Sequence, residues 1–311
     1  MKRIIFTILL CLCAIASVCA QPKYVRDAME FSAVNDSILS EAYQLYIHEK
    51  LAWLFEDKYI ESCPSTTICD GWVPITEDGV VVKGVFFNLK DSLAVFETSV
   101  NIQTGIVSVT DSSRVLTPNE QKAIKVRLTV INAVQSLDSI PTCPDGCTFN
   151  VDVVQLEDNL YRVYWMLGTP QNNIIPFGCD FSYDCDSDGR VKAFRQYHLT
   201  YVPAPLMMNG EPVREIWHSH TSICPFISPT DIALFLLYGY ERSGISKLSV
   251  YSTALKTTFT FDAEQFKIMS KNSKKLYYQL DTHTTASHAG LYNDAYYGNV
   301  YRNTLEEFLK P

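Results

Sequence analysis

Two stretches of this chain begin a helix in the same way, and they constrain the fold more than any other feature. Thr117-Pro118-Asn119-Glu120 and Ser228-Pro229-Thr230-Asp231 each place a small hydroxyl residue as cap and proline at the first helical position. An acid follows three residues after the cap, where its carboxylate can return a hydrogen bond to the cap backbone. Amphipathic helices are therefore predicted within 116–137 and from Ser228 to about Tyr240. A third helical stretch spans 25–61, with apolar residues three and four apart and few breakers; its spacing points to a start at Ile38 or Leu39, capped by Asp36 or Ser37. Between these helices the text changes to alternation and turn residues. GVVVKGVFFNL, SLAVFETSVNI and GIVSVT read as three strands of an antiparallel meander. FNVDVVQLE, LYRVYWMLGT, GRVKAFRQYHLTYV and PVREIWHSH read as further strands, with ISKLSVYS and TTFTFD as a hairpin. The expected fold class is α+β, with mostly antiparallel sheets and packed helices.

The first twenty residues carry Lys2 and Arg3 ahead of an apolar run that ends near Ala16, then small residues up to Ala20. This is the pattern of a secretory signal peptide over 1–20. A lipoprotein cut before Cys19 is the competing reading, and the run is shorter than the ~20 residues of a membrane span. The remainder divides into an N-terminal helix-and-sheet module (21–112), a second α+β domain (115–270) and a polar, tyrosine-rich tail (271–311). A net charge of −8 without a basic cluster argues against nucleic acid and anionic membrane surfaces as partners. The chain is expected to be exported, with no stable membrane span.

Ten cysteines become seven once the leader is removed. Six fall in close pairs, Cys63 with Cys69, Cys143 with Cys147 and Cys179 with Cys185, which in an oxidising compartment suggest local disulfides. A zinc site is the alternative for such pairs, and only Cys143 and Cys147 approach the needed spacing. Cys224 is left over, four residues after His220, as a buried thiol, an additional metal ligand or an oxidation target.

The segment EIWHSHTSICPFISPTDIALFLLYGY (215–240) poses the functional question. On a strand, His218 and His220 share a face about 6.5–7 Å apart, close enough for both imidazoles to converge on one ion. Asp231, in the first turn of the helix that follows, supplies a carboxylate where the chain has just reversed. Two histidines and an aspartate leave a fourth position open, the pattern of a catalytic metal. The alternative needs no metal: Ser228 and Asp231 are explained by helix capping, and either histidine by an interior hydrogen bond. His198, on a neighbouring predicted strand, is a candidate proton donor or second support to a ligand, or an ordinary strand histidine. His48 reads as a surface or half-buried helical group, His283 and His288 as solvent-exposed.

The run His218-x-His220, seven residues, then Ser228-x-x-Asp231 resembles the JAMM (MPN) metalloprotease signature. The resemblance covers roughly residues 155–265. It implies Zn²⁺ on His218, His220 and Asp231, with Ser228 orienting the reacting carbonyl. It also implies an upstream glutamate as general base, and Glu157 is the glutamate nearest the expected window. Thr221 stands where the family has proline. The expected function is an exported zinc-dependent hydrolase acting on a peptide or isopeptide amide of a peptide or protein substrate. The alternative is a non-catalytic exported binding or envelope protein that keeps a JAMM-like fold.

Overall fold

A computed structural model describes residues 23–63, 67–77, 81–101, 104–110, 113–137 and 142–272. The expected signal peptide and nearly all of the tail, including His283 and His288, lie outside the described residues. The described residues form an α+β fold, with three helices and mostly antiparallel sheets. Among the described residues no helix is long and apolar enough to cross a membrane.

Helix α1 runs from Lys23 to Ser62, far upstream of the expected start. Asp36 and Ser37 do not cap it. No glycine or proline interrupts 23–62, and Ser37 Oγ instead donates to Glu41 Oε1 one turn on, at 2.9 Å. Its buried residues change partners along its length. Val34, Ile38, Ala42 and Leu45 enter the core of the C-terminal half of the molecule. Leu51 and Phe55 pack instead on the N-terminal sheet, against Val82, Phe86 and Phe96.

That sheet is the expected meander, β2 (Val81–Asn88), β3 (Leu93–Asn101) and β4 (Val107–Thr110), with two additional strands: β1 (Gly71–Glu77) on its edge and the short β5 (Arg114–Val115), which pairs with β3. Pro74 hides β1 from a sequence reading; a proline is tolerated there because an edge strand need not donate every ladder bond. Gly84 on β2 lies directly under the Phe55 ring, where a Cβ would fall 2.3 Å from ring carbon. Helix α2 (Pro118–Gln135) carries the anticipated capping box, Thr117 with Glu120. Its first half covers the other face of the meander through Ile124, with Leu116 just ahead of the helix in the same cluster. Its second half covers the next sheet through Val130 and Val134.

The second sheet contains β6 (Thr148–Glu157), β7 (Leu160–Gly168), β9 (Phe181–Cys185) and β10 (Val191–Gln196), in the order β10-β9-β7-β6. Strand β8 (Ile174–Gly178) precedes β9 and pairs only with β11 (Tyr201–Pro205). The predicted strand over 189–202 is thus two strands separated by an irregular passage that carries His198. Short strands β12 (Met207–Met208) and β13 (Glu211–Pro212) lead into β14 (Ile216–His220). The third sheet runs β14-β15-β16-β17, with β15 (Lys247–Ser252), β16 (Thr257–Asp262) and β17 (Lys267–Asn272). β14 and β15 are parallel, which requires the crossover that α3 provides. Helix α3 opens as Pro229–Leu234, passes through a π-helical turn, Phe235–Tyr240, and ends over Glu241–Ser243.

The cysteine pairs are not bridged, since among the described residues no disulfide is formed. For Cys179 and Cys185 the reason is geometric. Cys179 lies two residues before β9 and Cys185 ends it; an extended strand of this length holds its ends well beyond the ~7 Å a disulfide allows. Cys185 points into the α2 core beside Val163 and Phe181. Cys69 Sγ donates to the Gly71 carbonyl at 3.3 Å. Cys143 and Cys147 flank a turn closed by the Cys147 N–H on the Pro144 carbonyl, 3.1 Å.

Candidate metal centre

The parallel crossover positions the site. β14 alternates as its sequence demands, with Ile216 and His220 buried, Trp217 and Ser219 exposed, and His218 turned to the inner side with the two buried residues. Strand β14 ends where the His220 carbonyl accepts both the Thr253 N–H and the Thr253 hydroxyl, each at 2.9 Å. A strand–helix–parallel strand unit returns the helix N-terminus beside the strand's carboxyl end, so Asp231 arrives at the histidines.

Asp231 is held by the cap and completes it. Its N–H donates to Ser228 Oγ at 3.0 Å, and its Oδ2 accepts the Ser228 N–H at 2.8 Å. Ser228 Oγ also pairs with Thr230 Oγ1 at 2.8 Å, so the serine is fully buried and engaged in building the helix start. From that frame the Asp231 carboxylate reaches three imidazoles. Oδ1 lies 3.0 Å from His218 Nε2 and 3.4 Å from His198 Nε2, and Oδ2 lies 3.2 Å from His220 Nε2. His220 Nε2 is 2.8 Å from His198 Nε2 and 3.1 Å from His218 Nε2. His198, His218, His220 and Asp231 thus form one buried cluster of converging ligand atoms.

The tautomers of two of the rings follow from their outer partners. His220 Nδ1 faces the Phe226 carbonyl, which can only accept, so this nitrogen carries the proton. His198 Nδ1 lies 2.7 Å from Asp180 Oδ1, a second buried carboxylate, and must also be N–H. In the neutral rings both Nε2 atoms then present lone pairs, to each other and to an aspartate. A shared proton can satisfy one such contact; a metal ion satisfies all of them. Asp231 Oδ1 and His218 Nδ1 have no hydrogen-bond partner although both are buried. For the carboxylate oxygen a cation at the centre is the missing partner. The spacing fits as well. Four ligands at about 2.0–2.1 Å from one ion in tetrahedral array lie ~3.3 Å apart; the five contacts given above run from 2.8 to 3.4 Å, and the four ligand atoms all lie within 4.8 Å of one another.

The electrostatics agree with a cation-binding centre. Burial opposes the charged form of Asp231, but His218, His198 and His220 hold its carboxyl well below the usual carboxylate range. Burial likewise disfavours charge on His198 and His220. The carboxylates of Asp180 and Asp231 overcome this at His198, as Asp231 does at His220, lifting each to about 9. At His218 burial prevails and its pKa is lowered. The pocket is strongly cation-seeking.

His198 is held by backbone geometry that its sequence does not announce. Gly178 adopts φ +101, and a Cβ there would sit 2.0 Å from the Thr200 carbonyl oxygen. Cys179 follows at φ +53, in the left-handed region. This tight turn brings Asp180 beneath the His198 loop, where its carbonyl accepts the Tyr197 N–H at 3.0 Å. Thr230 Oγ1 donates to Asp180 Oδ2, linking that carboxylate to the start of α3. Cys224 is buried alongside; its thiol donates to the Phe226 carbonyl at 3.3 Å and is not in the ligand cluster.

Of the residues singled out from sequence, His218, His220 and Asp231 come together. His198, weighed as a supporting group, brings its Nε2 into the cluster itself. Asp180 had no signal, because a lone Asp after a cysteine resembles any turn. Glu157 ends β6 with an exposed side chain, lines a separate cavity with Glu41 and Arg162, and is not in the cluster. His48, expected as a surface or half-buried helical group, is half-buried and pairs with buried Asp152 at 2.8 Å. No family model, curated protein or solved structure matches the chain.

Proposed function

We propose that this chain is an exported zinc-binding protein of JAMM-like fold, in which the metal is closed off by four protein ligands. It then serves as a binding or envelope module rather than a hydrolase. The observation carrying this reading is the His198 imidazole, whose Nε2 takes the corner that a catalytic centre leaves open. Three protein ligands with a free position are the mark of catalytic zinc; four are the mark of structural zinc. Three imidazoles and one carboxylate suit zinc better than the octahedral, oxygen-preferring cations. Bound there, zinc would tie the end of β14, the start of α3 and the loop after β10 into one unit. Asp180 orients His198 by accepting its Nδ1 proton, and the Phe226 carbonyl does the same for His220.

The spacing of His218, His220, Ser228 and Asp231 supports the second reading, a zinc-dependent hydrolase of peptide or isopeptide amides. That reading requires His198 to leave the metal and a base to reach the vacated side. The decisive experiment combines metal analysis with cobalt substitution of the purified chain. One equivalent of zinc per chain, and the intense visible bands of four-coordinate cobalt, are expected. Faint bands of five- or six-coordinate cobalt, together with chelator-sensitive cleavage of a peptide library, would sink the closed-site reading in favour of the hydrolase.

A further inference from the structure

A second site lies away from the histidines, between α1 and the β6-β7-β9-β10 sheet. A cavity of about 320 Å³ opens there, with Ser37, Glu41 and Gln44 on the helix side and Glu157, Arg162 and Arg195 on the sheet side. That volume is at the lower end of the range for small-molecule sites. Most charges in its floor are already paired. Arg162 places Nε and Nη2 on the two oxygens of Asp184, at 2.6 and 3.1 Å, and Nη1 on Glu41 Oε2 at 2.6 Å. Glu41 also accepts from the Tyr164 hydroxyl and from Ser37.

Two groups are left with capacity. Among the described residues Arg195 spends only Nη1, on Asp184 Oδ2 at 2.6 Å, which leaves its Nε and Nη2 donors for a ligand. Glu157 forms no ion pair among the described residues, and its carboxylate accepts no hydrogen bond from them. The cavity lining therefore includes one guanidinium with donors to spare and one carboxylate, beside the aliphatic side chains of Val34, Ile38 and Leu156. A planar guanidinium edge matches a carboxylate, and a carboxylate matches an ammonium. We propose that this cavity binds a small zwitterion of the amino-acid or dipeptide class. The ligand's carboxylate sits on Arg195 and its ammonium on Glu157, with a small apolar side chain against the aliphatic wall.

Calorimetric titration of the metal-loaded chain tests this with three probes: L-alanyl-L-alanine, its N-acetyl form and its C-terminal amide. The free dipeptide is expected to bind with a Kd of about 1 mM or tighter, and each cap to weaken it about tenfold. Glu157→Gln should erase the difference between the free and N-acetyl peptides while keeping the penalty for the amide. Arg195→Gln should do the reverse. Because Glu157 is exposed at the end of β6, its substitution leaves the fold intact and keeps the test clean. No binding at about 10 mM, equal binding of all three probes, or unchanged discrimination in Glu157→Gln would each overturn the proposal.

Discussion

Two buried clusters in this molecule use nearly the same residue types and resolve their charges in opposite ways. Around Asp152, His48 Nδ1 meets Oδ2 at 2.8 Å and Arg127 Nη1 approaches Oδ1 at 3.4 Å. Nearby, Glu49 Oε2 accepts from Asn150 Nδ2 at 2.9 Å. Each of these contacts pairs a donor with an acceptor, and Arg127 supplies the cation. Around Asp231, by contrast, three imidazole nitrogens and a carboxylate face a common centre, and no arginine or lysine belongs to the cluster. The difference teaches that residue type alone does not identify a metal site. Counting where the protons must sit does.

The comparison breaks most sharply on removal of metal. Chelation should destabilise the chain by about 4 kcal/mol or more, because a bound ion contributes its binding energy to folding. For a protein of this size the melting temperature should fall by on the order of 10 °C in scanning calorimetry. His218→Ala should reproduce that loss, and the variant should contain no zinc. If chelator leaves the melting curve unmoved, the centre is a proton-sharing network like the one at Asp152.

Asp180→Asn comes next. It removes the charged acceptor that fixes the His198 tautomer, and zinc affinity should drop ~10–100-fold in a competition titration while the fold persists. An unchanged affinity would mean that His198 is not a ligand.

Glu49 sharpens the other side of the contrast. Burial first, then Asp152, raise its pKa from 4.5 to about 7. The folded-state value is above the unfolded one, so stability is highest at low pH on this account and declines as pH rises from about 4.5 through about 7. Glu49→Gln removes that decline and can still accept from Asn150. The variant should gain up to ~3 kcal/mol over the parent at pH 8 and nothing at pH 4.5, measured by urea denaturation.

The smallest effect separates capping from chemistry at Ser228. Loss of a helix cap costs ~1 kcal/mol, so Ser228→Ala should lower stability by about that amount and leave zinc content unchanged. A large loss of metal would give this serine more than the structural duty its hydrogen bonds describe.

What was legible in the sequence was local. The two capping boxes set the starts of α2 and α3, and the two-residue period of a strand placed His218 and His220 on one side. Asp231 was legible because a single crossover separates it from them. His198 and Asp180 were not, since they are brought in by the strained Gly178-Cys179 turn and by contacts between distant segments. β1 and β8 were hidden by Pro74 and Pro176, which their pairing tolerates: β1 is an edge strand, and Pro176 faces Pro203 in a two-stranded ladder. The start of α1 was misplaced because Asp36 and Ser37 look like caps, yet nothing upstream of them stops a helix.

The division of α1 between two cores has a consequence for how the chain is made. The helix is synthesised early, and its downstream half finds Val82 and Phe96 after a few dozen residues. Its upstream face, Val34 to Leu45, must wait for Val154 and everything beyond, roughly 110 residues or more. During that interval an apolar stripe stands without a partner, and the histidine cluster cannot assemble until β15 and α3 have closed over it. The N-terminal sheet should therefore fold as the chain emerges, while the metal-bearing half is slow, dominated by distant contacts and dependent on whatever shields that stripe in the meantime.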